Sequence, residues 1–192
     1  MIPEAPMRSA QRYLKAVLAV MLAGGGAVSA PVQAVTLDFS AVLTNGTCTL
    51  SLDKSTLPLG VIAKSQLRPN QLVAPQPFTL SVQDCTGSAG GSLKPVVTIA
   101  GTGTTQDSKW LFRNAGSAAN TGILVIQSAT VPDYSQPEVK NNSVLSLANA
   151  GQIPVNQTFT FYAGASCGGS NGCATVATGD VTATLVFTFL YQ

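Results

Sequence analysis

Residues 181–191 read VTATLVFTFLY, and their alternation decides the fold class. Val181, Ala183, Leu185, Phe187, Phe189 and Tyr191 fall on one side of an extended chain, and the threonines fall mainly on the other. A period of two with an apolar face is the pattern of a half-buried β-strand. The same pattern recurs upstream at shorter lengths. Residues 35–43 alternate Val35, Leu37, Phe39, Ala41 and Leu43 with Thr36, Asp38 and Ser40, until Asn45-Gly46 breaks the run. Thr47–Leu52 is extended through Cys48, and Phe78, Leu80 and Val82 alternate up to Cys85. Pro95–Ala100 is a short apolar run, and Thr158–Ala163 sets Phe159 and Phe161 among polar neighbours. Gly122–Gln127 carries an unbroken Ile-Leu-Val-Ile, which predicts a strand buried on both faces. Gly, Pro, Asn and Ser clusters such as 87–92 and 168–172 separate the runs, and no stretch shows a capped 3.6-residue apolar period. Many short strands at this spacing predict one all-β domain, a sandwich or a barrel.

The first 34 residues read differently. Arg8, Arg12 and Lys15 precede an apolar run from Ala16 to about Ala30, which ends in small residues with Val32-Gln33-Ala34 as a cleavage motif. This is the pattern of a secretory signal peptide. The run is shorter than the roughly 20 apolar residues of a spanning helix, and Gly24-Gly25-Gly26 would weaken such a helix further. Ala34 is the preferred cleavage site over Ala30, and translation could start at Met1 or at Met7. The expected organisation is a signal peptide at 1–34, an N-terminal strand segment at 35–45 and a domain at 46–192.

Removing the signal leaves seven basic and seven acidic residues, because Arg8, Arg12, Lys15 and Glu4 depart with it. A neutral chain offers no electrostatic footprint for nucleic acid or for an anionic membrane. Low charge suits a surface covered by copies or partners. Four cysteines in an exported chain read as two disulfides, Cys48 with Cys85 and Cys167 with Cys173. With no histidine and no C-x-x-C pair, zinc has no ligand set. The Ser-His-Asp and Cys-His arrangements are likewise absent. No phosphate loop or paired-carboxylate pattern stands out, and Gly101-Thr102-Gly103 reads as a turn between strands. The expectation is a protein without catalytic residues, metal or cofactor.

On these residues the chain resembles the fimbrial subunits of the chaperone–usher pathway, the type 1 pilin family, over essentially all of 35–192. Pro77–Cys85, PFTLSVQDC, resembles the family's strand into its second cysteine, and Cys48 matches the first, nine residues after Phe39. Penultimate Tyr191, with Phe187 and Phe189 before it and Gly179 twelve residues upstream, matches the family's C-terminal signature. The resemblance implies an incomplete immunoglobulin-like β-sandwich that lacks its last strand and carries an N-terminal donor strand. Val35, Leu37, Phe39, Ala41 and Leu43 would be donated to a neighbouring subunit by β-strand addition. Gly179, Phe187, Phe189, Tyr191 and Gln192 would form the groove edge and meet a periplasmic chaperone, with the Gln192 carboxylate on the chaperone's basic residues. The implied partners are neighbouring pilus subunits, that chaperone and an outer-membrane usher. The implied location is a surface fimbrium supporting cell adhesion, and no receptor is implied. Ala41 stands where the family's donor strands usually carry Gly, and Cys167–Cys173 lies outside its common single-disulfide pattern. A stand-alone secreted carbohydrate-binding or structural β-sandwich is the alternative, in which 35–43 would pair within its own domain.

Overall fold

A computed structural model describes residues 46–87 and 90–192. The expected signal peptide and the run 35–45 lie outside the described residues. Among the described residues, nine strands build two antiparallel sheets. The larger takes β1 (Thr47–Leu52), β2 (Val73–Thr86), β8 (Gln157–Ser166), β6 (Gly122–Gln127), β5 (Lys109–Phe112) and β4 (Gly103–Gln106), in that spatial order. The smaller takes β7 (Ser143–Ser146), β3 (Pro95–Ala100) and β9 (Val186–Tyr191). A short helix, α1 (Ser170–Ala174), follows β8.

The sheets meet because their alternating apolar faces meet. Phe78, Leu80 and Val82 from β2, Val125 from β6 and Phe161 from β8 pack against Val97 and Ile99 of β3. Phe78 stacks on Phe161 at 5.2 Å between ring centres. Register follows the same faces: Phe78 stands opposite Phe161 and Leu80 opposite Phe159. A one-residue slip would turn every one of these side chains outward.

β6 serves two layers. Val125 points into the main core, while Leu124 and Ile126 join Leu111 on the outer face, beneath Leu72 and Tyr134. The unbroken apolar run is therefore explained by burial on both sides. Glu138 fixes the loop that lies over this outer face. Its carboxylate meets Lys109 at 3.1 Å and Lys140 at 3.2 Å, and accepts the Trp110 amide. Burial opposes its charge, but its own backbone amide, Lys109, the Trp110 amide and Lys140 together hold its pKa below the ordinary 4.5.

Cys48–Cys85 ties β1 to β2, closing a separation of 37 residues, at the point where the β1–β2 register shifts. Cys167–Cys173 closes a separation of six around the start of α1.

Three strands, β4, β5 and β7, lie where the sequence reading placed none. β4 and β5 form a hairpin whose turn residues, Asp107 and Ser108, both have positive φ, 47° and 69°. That is the geometry of a tight type I′ turn, made here without Asn-Gly or Asp-Gly. The C-terminal strand is shorter than its alternation predicts. Its ladder starts at Val186, opposite Ala100, because β3 ends there and the chain turns through Gly101 into the other sheet. Residues 183–185 keep the alternation of burial without a ladder partner among the described residues.

Candidate functional site

Among the described residues β9 pairs with β3 alone, so its other edge carries no ladder there. An apolar groove of about 790 Å³ opens along the segment that leads into β9 and reaches the strand itself at Phe187. Its floor is the inner face of the larger sheet: Phe78, Ile123, Val125, Ala163 and Ala165, with Thr121. Thr121 is satisfied within the protein, since its hydroxyl donates to the Ser166 carbonyl at 3.0 Å. A floor of this composition gains by being covered with apolar side chains, at roughly 25 cal/mol per Å² removed from water.

One wall is the stretch from Val176 through Ala183 to Leu185 and Phe187. Backbone bonds fasten it to the loop 114–120. Ala177 and Ala119 exchange both bonds at 3.2 Å, Ala118 donates to the Asp180 carbonyl at 3.0 Å, and Thr182 exchanges bonds with Ala115. Gly179 is required in this wall. Its φ is +150°, and a Cβ would strike Ser117 and the Ala118 backbone. Arg113 holds the loop from behind, donating to the carbonyls of Gly116, Ala118 and Thr121.

The opposite wall, 54–62, is built otherwise. It is anchored at its start, where Asp53 accepts the Thr79 amide at 2.7 Å and Lys54 donates to the Pro77 carbonyl at 2.8 Å. The Thr79 amide is the main reason that the Asp53 pKa lies below 3.8. Beyond this point the chain runs without regular structure to a single 3-10 turn at Lys64–Gln66. Leu57 packs against the core, while Val61 is fully exposed.

The residues expected at the groove edge separate into two groups. Gly179 and Phe187 line the groove, and Phe187 packs edge-on to Phe78 at 6.3 Å and against Phe161 at 6.0 Å. Phe189 and Tyr191 are not among its lining residues. Their rings meet at 5.2 Å, and the Tyr191 hydroxyl donates to the Gly87 carbonyl at 3.2 Å. Gln192 exchanges backbone bonds with Lys94 at 2.7 and 3.0 Å. The wall 54–62, the small floor residues Ala163 and Ala165, and the clamp Arg113 carry no sequence signal of a site, because loops and small residues acquire this role only by docking. Among the described residues no cluster of metal-ligating side chains occurs.

The class of protein this architecture defines is a two-sheet, disulfide-linked β-sandwich with an open apolar groove along the segment that leads into its C-terminal strand. A family model described as "Fimbrial protein" matches residues 37–192, and the chain belongs to that family. It is accordingly a structural, non-enzymatic fimbrial subunit, which polymerises with other subunits into a surface pilus. This sets aside the stand-alone sandwich. Among solved structures the chain is similar to the P pilus rod subunit PapA, at 21% identity and a TM-score of 0.48 over 76% of this chain and 99% of that one. No curated protein matches the chain.

Proposed function

We propose that the groove is an acceptor site, and that subunits join when the segment 35–45 of one copy is laid into the groove of the next. On this reading the domain at 46–192 is an immunoglobulin-like sandwich lacking its last strand, 35–45 is the donor strand, and 1–34 is removed on export. Val35, Leu37, Phe39 and Leu43 cover the floor, while main-chain bonds form along β9. The observation that carries the reading is the apolar groove bordered by residues 176–187, where 183–185 have no ladder partner among the described residues and lead into β9, whose second edge bears no ladder there. An open sheet edge over an apolar slot invites aggregation. A periplasmic chaperone therefore fills the groove first, meeting Phe187, Phe189, Tyr191 and Gln192, and an outer-membrane usher presents the chain to its neighbour. Cys48–Cys85 and Cys167–Cys173 keep the empty domain folded until then.

Phe39→Asp tests the reading. A carboxylate placed on the apolar floor has no partner there, so the variant is expected to be exported and folded but to assemble few pili, and these should dissociate at lower temperature. Pili of unchanged amount and heat resistance would refute it.

A further inference from the structure

We infer that Asp107 and the Cys167–Cys173 disulfide are positioning groups for the groove. They moor α1 to the β4–β5 turn and so set the place of the wall Val176–Ala183 against which a strand of a second copy docks. The inference rests on the acceptor reading above.

The wall begins two residues after α1 ends. At five residues, α1 is too short to be stable alone, and its first amides have no partner within the helix. Asp107, reaching from the hairpin turn, supplies one. Its carboxylate accepts the Gly169 amide at 2.7 Å, the Gly172 amide at 2.9 Å and the Asn171 side chain at 3.0 Å. Gln106, beside it, donates to the carbonyls of Cys167 at 2.8 Å and Asn120 at 3.0 Å. Gly172 admits this contact, since a Cβ would occupy the space of the Gln106 amide. The disulfide closes the helix back onto the end of β8. Downstream, the Asn120 side chain donates to the Thr175 carbonyl at 3.1 Å, and the Ala119–Ala177 bonds begin the wall itself.

Gln106, Asp107 and Cys173 lie outside the main core, whereas Cys167 is fully buried just after β8. Releasing Asp107 therefore loosens one side of the groove while leaving the packed sheets in place, and releasing the disulfide does the same at some cost in melting temperature. The opposite wall, 54–62, has no regular structure from Lys54 to Ala63 to compensate. A groove with a wandering wall still admits a strand but holds it less well, so the effect appears in release.

The test uses the full chain, freed of bound partner in mild denaturant and returned to buffer with labelled peptide of residues 35–45. Release of the peptide is followed by anisotropy after adding excess unlabelled peptide, and melting temperature is recorded alongside. Asp107→Asn and the pair Cys167→Ala/Cys173→Ala are expected to release it about tenfold faster than the unaltered chain. Leu147→Ala, which opens a cavity in the main core away from the groove lining and the mooring groups, should lower the melting temperature and leave release unchanged. Wild-type release from both mooring variants would overturn the inference while leaving the acceptor reading standing. So would equal acceleration in Leu147→Ala. If the unaltered chain takes up no peptide, the acceptor reading falls and this inference falls with it.

Discussion

Phe187→Ala separates what the groove contributes when empty from what it contributes when filled. The ring is half-buried against Phe78 and Phe161. A fully buried phenylalanine contributes about 1.5–3 kcal/mol by burial, and each aromatic contact adds about 0.5–1.5 kcal/mol. With one side open, truncation should cost the empty domain about 2 kcal/mol. A strand laid beside β9 covers the exposed side, and the cost should then approach the 3–5 kcal/mol of a buried Phe→Ala change. The difference, about 2 kcal/mol, corresponds to roughly thirtyfold weaker binding of the 35–45 peptide. Urea unfolding with and without saturating peptide gives the two stabilities, and anisotropy gives the dissociation constant. Equal losses in both states, with an unchanged constant, would mean that no strand covers Phe187, and the reasoning from groove to partner would fail.

Replacing Cys48 and Cys85 by alanine reopens a loop of 37 residues and should cost about 4 kcal/mol in the chain-entropy account. The Cys167–Cys173 pair, closing six, should cost about 2. Non-reducing thermal scans of the two variants should therefore rank in that order. Glu138→Gln should lose about 1–3 kcal/mol at neutral pH, the worth of hydrogen bonds to a charged group. Because the folded carboxyl titrates below its ordinary 4.5, its stabilisation is complete above that value and is lost as pH falls through the folded pKa. The gap between variant and unaltered chain should close on the acid side of 4.5, and a gap constant with pH would contradict the assignment.

Much of the sandwich was legible in the chain. β1, β3 and β6 stand at the boundaries read from alternation or apolar runs, and β2 and β8 extend the predicted runs at one or both ends. Those strands bury one or both faces in a core, and burial is what writes a period into sequence. β4, Gly-Thr-Thr-Gln, and β7, Ser-Val-Leu-Ser, were not legible because four residues at a sheet edge carry too few apolar positions to show one. Of the groove, alternation alone marks only the apolar face that carries Phe187; a groove-edge role for Phe187 and for Gly179 came from the family resemblance and not from any local pattern. Asp107, Asn120 and the wall 54–62 take their places through contacts with residues tens of positions away, such as Asp107 with Gly169 and Gly172, and no local pattern records such partners.

The pairing order of the smaller sheet bears on when the molecule can finish folding. β3, at residues 95–100, takes β9, at 186–191, as its neighbour, and β2 takes β8 across a comparable interval. Such distant pairings must close long loops before they are rewarded, and sheets dominated by them fold slowly. A chain synthesised from its N-terminus presents β2 and β3 long before their partners. Until residues 186–191 arrive, Phe78 lacks the ring of Phe187 that packs against it. Of the described strands, β9 is thus the one whose arrival completes the smaller sheet and sets Phe187 in the wall of the groove.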